Sequence, residues 1–253
     1  MPESTSFESW LAVIAFVSLS AAFSLAELVR PLRPLRQFGV GLGMDIVGLA
    51  IATLVSSLVT GAVLWALTGR SALPLPPALD HPVGRGLLFL LLTDLSRFLT
   101  HLWMHRGWMW RFHEFHHSPV RIYWLSGNRV TPVHVVLFSA PTAFFTWALA
   151  PGAAVLAGNV VLMVFWNHFM HTNLKLGNRL QRMLEWVVTT PRYHHIHHAR
   201  EPHLHGKNLA SLFTFWDHLC NTYVNPDHVS PEQLDFGVAQ PRTRSRLRMV
   251  LGL

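Results

Sequence analysis

Residues Asp94 to His117 read DLSRFLTHLWMHRGWMWRFHEFHH, and a second cluster, HHIHH at His194 to His198, answers them about 80 residues later. His101 and His105 stand four apart in a segment that reads as helix. That is about one turn, so both rings leave the same face. Two imidazoles so spaced can bind one metal ion. Asp94 lies two turns before His101 on that face, where a carboxylate can accept the second N–H of a ligand histidine and fix its tautomer. His113, His116 and His117 form an HxxHH pattern, which His194, His197 and His198 repeat. In each pattern the first and last histidines share a helical face and the middle one points partly aside. One such pattern suits one ion plus a bridge to a neighbour. Two patterns and the HxxxH pair suit two ions. A lone histidine on an apolar face is usually a hydrogen-bonded core residue. Tight clusters at ligand spacing, in a chain with 17 histidines, are not explained that way.

Outward from the clusters the chain is apolar. Hydrophobic residues make up 51% and charged residues 13%, against about 25% charged in a soluble domain. The formal charge of +7 does not form a nucleic-acid face, because the basic residues sit between apolar runs. The single Cys220 excludes an intrachain disulfide framework and a cysteine-based zinc knuckle. The expected fold is all-α, an integral membrane helical bundle of four to five spans with a cytosolic histidine-rich cap.

Trp10 to Leu28 is the first apolar run. It follows an acidic start (Glu3, Glu8), unlike a signal peptide, and is read as a retained helix. Arg30, Pro31, Arg33, Pro34 and Arg36 make a basic turn after it. Phe38 to Thr68 is long enough to span about 30 Å and contains Asp45, an acid that is costly at that depth. Residues 69 to 86 read as a Pro-rich loop and Arg85 to His105 as the third span. Thr131 to Ala150 and Gly152 to His171 form a helical hairpin around Pro151-Gly152. Residues 176 to 193 are expected to form an amphipathic interfacial helix, with Leu180, Met183, Leu184 and Val187 on one face. The C-terminal Arg242, Arg244, Arg246 and Arg248 read equally as a lipid-headgroup patch or a disordered tail. Three units are expected: N-terminal membrane helices and loop over 1–84, a catalytic unit over 85–224 and a basic tail over 225–253.

With five spans, only Arg70 and Arg85 of the twenty Lys and Arg fall on the outer side. This asymmetry puts the histidine clusters and the C-terminus in the cytoplasm. A site of neutral imidazoles suits iron, copper, zinc or nickel. So many histidines with so few carboxylates (Asp94, Glu114, Glu185) beside a bilayer point to dioxygen chemistry at two metals rather than to hydrolysis. Trp103, Trp108, Trp110, Phe112 and Phe115 are expected either to wall the site or to form an interfacial belt.

The sequence resembles the membrane-bound fatty acid hydroxylase and sterol desaturase superfamily over about residues 85 to 224. The likeness lies in Asp94 with His101 and His105, then in Trp110-Arg111-Phe112-His113-Glu114-Phe115-His116-His117-Ser118. It continues in His171-Thr172-Asn173 and in Thr190-Pro191-Arg192-Tyr193-His194-His195-Ile196-His197-His198. Asn208, Leu212, Trp216, Asp217, Leu219, Thr222 and Tyr223 complete it. The resemblance implies a non-haem di-iron oxygenase that hydroxylates or desaturates a fatty acyl, sterol or carotenoid-type lipid. It would use O2 and electrons from an outside donor, ferredoxin-like or cytochrome-type, with its reductase. The implied ligands are His101, His105, His113, His116, His117, His171, His194, His197 and His198, supported by Asp94, Asn173 and Asp217. Thr131 stands where the family carries a histidine, which makes His134 a further candidate; at the hairpin end, where the family's fuller form is HxxxH, Asn167 stands four before His171 and His168 three before it, which makes those two candidates as well. Two other readings stay open: a membrane metal transporter or buffer, and a scaffold that has lost catalysis.

Overall fold

The computed structural model describes residues 3–34, 41–238 and 245–253, and all of the regular elements among them are helices or isolated bridges. Five long helices form the bundle: α1 (Glu3–Val29), α2 (Leu42–Ala66), α3 (Pro82–Met104), α4 (Pro132–Leu149) and α5 (Ala153–His171). The last four are each long and apolar enough to cross a membrane, and α1 adds a shorter apolar stretch, Val13–Val29. The mean hydropathy of α2 reaches 2.2 with only 6% of that window buried in protein, so its surface suits lipid. By contrast, 33% of the corresponding window of α3 is buried. α3 is thus the most buried of the four, and it carries His101. Residues 35–40, which hold Arg36 and the expected start of the second span, lie outside the described residues, as do Arg242 and Arg244.

Local chemistry sets the helix ends. His81 caps α3 by accepting from the Gly84 N–H, with Pro82 at the first helical position. Thr131 does the same for α4, accepting from the His134 N–H ahead of Pro132. The α4–α5 turn uses positive φ at Ala150 and Gly152. α2 packs on α4, α4 on α3 and α1 on α5.

The acids embedded in α1 and α2 fasten the helices to the histidine end. Glu27 accepts hydrogen bonds from Trp124 N, Thr172 Oγ1 and Asn173 N. Asp45, buried in α2, pairs with the Arg129 guanidinium and accepts from the Tyr123 hydroxyl. Arg129 also donates to Ser118 Oγ and to the Gly41 carbonyl. The cost of Asp45 at that depth is thus offset by an ion pair. It fixes the irregular segment between α3 and α4, which contains two 3-10 helices, Gly107–Phe112 and Trp124–Asn128.

The expected amphipathic helix over 176 to 193 is shorter. α6 covers Asn178–Leu184, and a new helix, α7 (Pro191–His197), follows. The break has a cause: Thr190 caps α7 with Pro191 behind it, while Glu185 turns inward to bind Arg192 and the Thr190 hydroxyl. Leu180, Met183, Trp186 and Val187 stay exposed. Beyond α7, the short helix α8 (Phe215–Leu219) follows the segment that closes over α3. The last helix, α9 (Arg246–Leu251), packs Met249 and Val250 against Phe115. The described end of the tail is therefore part of the core.

Candidate metal centre

Four elements bring histidines to one end of the bundle. α3 contributes His101 and, at its C-cap, His105. The turn after the first 3-10 helix carries His113, His116 and His117, with the N–H groups of His116 and His117 both bonded to the His113 carbonyl. α5 ends on His171, and α7 with its C-cap supplies His194, His197 and His198.

These nine rings sort into two groups. His101, His105, His113, His117 and His197 form one, and His116, His171, His194 and His198 the other. Within each group one nitrogen per ring lies within 4.8 Å of all the rest. The middle histidine of each HxxHH crosses over. His116 joins the group built mainly from α5 and α7, and His197 joins the group built from α3 and the turn after the first 3-10 helix.

Hydrogen bonds on the outward nitrogens fix several tautomers. His101 Nδ1 donates to the Leu209 carbonyl at 2.7 Å and His197 Nδ1 to the Lys207 carbonyl at 3.0 Å. His171 Nδ1 donates to the Asn167 carbonyl at 2.8 Å, and the His116 ring donates to the Arg129 carbonyl. In the first three rings the inward Nε2 therefore carries a lone pair; in His116 it is Nδ1, which has no hydrogen-bond partner.

The inward nitrogens crowd one another. His101 and His113 Nε2 are 2.9 Å apart, and the Nε2 atoms of His171, His194 and His198 are mutually 3.0 to 3.2 Å apart. Protons cannot satisfy the second group: if His194 and His198 held theirs on Nε2, their buried Nδ1 atoms would still lack partners. A metal ion bound at about 2.0–2.1 Å from each imidazole nitrogen brings ligand nitrogens to about 3 Å from one another, so the residues fit such an ion. Burial, reinforced by neighbouring rings, holds His105, His113, His117, His194 and His198 well below the usual imidazole range. Burial does the same for His116 and His197. Neutral rings are the form in which histidine binds metal.

The supporting residues act differently from the sequence-based expectation. Among the described residues, Asp94 accepts no hydrogen bond from a histidine. Its carboxylate takes the N–H groups of Leu212 and Phe213 and the Trp216 indole. Asp217 grips the same segment from its other end, accepting from Leu209 N, Ala210 N, Tyr193 and Thr222. Both acids thus hold the segment whose Leu209 carbonyl orients His101. Asn173 bonds the backbone N–H and carbonyl of Arg33 and ties the α1 exit to the end of α5.

The further candidates fall outside both groups. His134 Nδ1 lies 3.3 Å from His113 Nδ1, so it stands behind that ring. His168 stacks on Trp124 at 4.7 Å and contacts Ser20 Oγ. Asn167 meets the site through its main-chain carbonyl. Thr131 bonds the Phe112 carbonyl and caps α4. Of the expected aromatic wall, Trp110 touches His105, His113 and His117. Trp103 and Trp108 are exposed, as a belt would be, while Phe112 and Phe115 are core residues.

A cavity of about 420 Å³ opens beside the rings, bounded by His101, His113, His116 and His194 and by apolar side chains of α4 and α5 such as Phe138, Met163 and Val164. Sequence reasoning missed Arg97 and Gly127 in its lining. Arg97 was visible as a charge inside a span. Gly127 carried no signal, because its role is room: a Cβ there would stand 2.5 Å from His171 Nδ1.

Comparison with known proteins gives the chain several relatives. The chain is 28% identical over 160 residues to the alkylglycerol monooxygenase of Xenopus tropicalis, covering 59% of this chain and 33% of that protein. It is 24% identical over 189 residues to the ornithine lipid hydroxylase OlsE of Rhizobium tropici (65% and 52%). It is 26% identical over 168 residues to methylsterol monooxygenase 1-3 of Arabidopsis thaliana (60% and 52%). The chain thus spans about a third to a half of the length of these relatives. No solved structure matches it. The fatty acid hydroxylase family model matches residues 86–222, more than half of the chain and a range that contains the nine clustered histidines, and the chain belongs to that family.

Proposed function

We propose that this chain is an O2-dependent di-iron oxidoreductase that hydroxylates or desaturates a lipid. The observation that carries the reading is the pair of buried histidine groups beside an apolar cavity, at one end of membrane-length helices. The names of the three relatives given above, an alkylglycerol monooxygenase, an ornithine lipid hydroxylase and a methylsterol monooxygenase, support the same class. Two iron ions, one in each group, would supply the reduction of O2 that allows an unactivated C–H bond to be broken.

The chain's own residues would do the rest. The carbonyls of Leu209, Lys207, Asn167 and Arg129 hold four ligand rings in one tautomer and orientation. Phe138, Met163, Val164 and Trp166 offer an apolar surface for the chain of the substrate and exclude water from the reacting carbon. Electrons come from an outside donor, ferredoxin-like or cytochrome-type. The main chains of Arg30 and Lys175 meet at the histidine end, whereas at the other end the Arg70 carbonyl accepts from the Trp147 indole and Arg85 donates to the Leu149 carbonyl, both in the last turn of α4. By the positive-inside rule this favours a cytoplasmic histidine end. A transport role is disfavoured because Asp45 and Asp94, the acids within α2 and α3, are consumed in internal bonds and line no path.

Protein purified anaerobically should carry close to two irons per chain. Comparison of lipids from cells with and without the gene should show an oxidised species that disappears with His116→Ala and diminishes with His197→Ala while the protein remains in the membrane. Undiminished product in those variants would end the proposal.

A further inference from the structure

Arg97 is a charged group that the histidine centre does not use. It sits within α3, four residues before His101, in a helix of membrane-spanning length. Charges at such depth are costly and are kept where they have a partner or a function. Among the described residues no carboxylate lies within ion-pair distance of it; the pairs formed by the other arginines are with Asp80, Asp45, Asp227 and Glu185. The acid that acts on it through space is Asp94, one turn earlier. Asp94 already accepts from two backbone N–H groups and an indole. Among the described residues, the one polar contact of the guanidinium runs from Nη1 to the Met163 thioether at 2.8 Å, and a thioether is a weak acceptor. Arg97 and Met163 both line the cavity that His101, His113, His116 and His194 also line.

An arginine presents a planar fork of N–H donors that matches a carboxylate or phosphate with two parallel hydrogen bonds. In a cavity whose surface is mostly apolar, a few placed polar groups fix the orientation of the ligand. We propose that Arg97 determines substrate class: the cavity takes a lipid whose polar end is an oxyanion, held by the Arg97 guanidinium while its chain lies against the histidine groups. This rests on the cavity being the lipid site of the proposed oxygenase. It does not require the metal to be present for binding. A chain-matched neutral alcohol would leave the half-buried cation without its acceptor and bind less well.

Native mass spectrometry of the full-length protein, iron-loaded and metal-free, tests this with hexadecanoic acid, hexadecyl phosphate and hexadecan-1-ol as probes. The acid or the phosphate should be retained about tenfold more tightly than the alcohol, the effect of one charge-assisted hydrogen bond. Whichever of the two binds better identifies a free fatty acid or a phosphate-headed lipid. Arg97→Met should erase the difference and Arg97→Lys should keep part of it. Equal retention of the alcohol by the wild type overturns the proposal, as does a preference that survives Arg97→Met. Should Arg97→Met fail to fold, the wild-type panel and Arg97→Lys decide alone: a lysine variant with the full arginine preference overturns the fork. Iron-loaded protein that oxidises neutral lipids without acid preference overturns only this assignment. Acid preference in protein that never binds iron overturns only the oxygenase.

Discussion

Gly127 offers a test of the four-histidine group that removes no ligand. It lies in the 3-10 helix Trp124–Asn128, which packs on α5. Its φ is not positive, so alanine meets no backbone strain there and the effect is one of space alone. The added Cβ would stand 2.5 Å from His171 Nδ1, 2.7 Å from its Cε1 and 2.8 Å from Asn167 Oδ1. Ordinary contact begins at 3.4 Å. The ring must therefore withdraw by roughly 0.9 Å, several times the tolerance of about 0.2 Å on a metal–ligand distance. Withdrawal also strains the 2.8 Å bond to the Asn167 carbonyl that sets the tautomer of His171.

Gly127→Ala should therefore lower the affinity of one site by about 10- to 100-fold, the usual cost of disturbing a ligand's support. Overpacking should destabilise the fold by about 1–3 kcal/mol. Iron per chain, measured by plasma mass spectrometry after size exclusion, should fall from about two towards one in dilute chelator, with the five-histidine site still loaded. Gly158→Ala is the control, since nothing lies within 4 Å of a Cβ at that position of α5. Unchanged iron content and an unchanged Mössbauer spectrum in Gly127→Ala would refute the placement of His171 among the ligands.

Three further outcomes follow from the same geometry. Asp45→Ala leaves Arg129 buried without its partner and should cost about 3–5 kcal/mol, read as lost folded yield. Adding Arg129→Met should recover much of that loss, and a non-recovering double variant would contradict the pairing. His134→Ala should leave both sites able to bind but weaken the five-histidine site by about tenfold, because it removes the group behind His113 Nδ1 rather than a ligand; loss of one ion at saturating iron would make His134 a ligand instead. Metal-free protein should be most stable above pH 6.5 and lose stability as pH falls. The rings of His105, His113, His116, His117, His194, His197 and His198 are held below that value when folded, so the unfolded chain takes up protons first. Thermal unfolding across pH 5 to 8 measures this, and a flat profile would contradict buried neutral rings.

Much of this site was legible because it is written in spacing. The four-residue steps 101–105, 113–117 and 194–198 bring the rings of each pair into a single group. The hairpin was visible in Pro151-Gly152 and in two apolar runs. What stayed hidden depends on the main chain. The carbonyls of Leu209, Lys207, Asn167 and Arg129 orient the ligands, and every residue has a carbonyl, so no side chain announces them. Asp94 misled for a related reason. Its spacing from His101 is right for a carboxylate–histidine bond, but a segment more than 110 residues away offers three N–H donors to the same oxygens. The interfacial helix came out short because apolar periodicity ignored Glu185, whose buried bonds to Arg192 turn the chain before α7.

The crossover of the two HxxHH motifs makes its own demand. His116 and His117 are adjacent in sequence, yet their inward nitrogens belong to different groups; so do those of His197 and His198. Consecutive residues in a turn point about 100° apart, and the two groups lie on either side of that divergence. Removing His116 leaves the second group with three rings and the first with five. Removing His117 leaves four and four. His116→Ala should therefore strip the ion held by His171, His194 and His198, while His117→Ala should spare it and weaken the other. The same contrast should separate His198→Ala from His197→Ala. Iron K-edge anomalous scattering from crystals of the four variants would read out which position has emptied. If the neighbouring substitutions emptied the same position, the histidines would be sharing one ion or bridging both, and the division into five and four would be wrong.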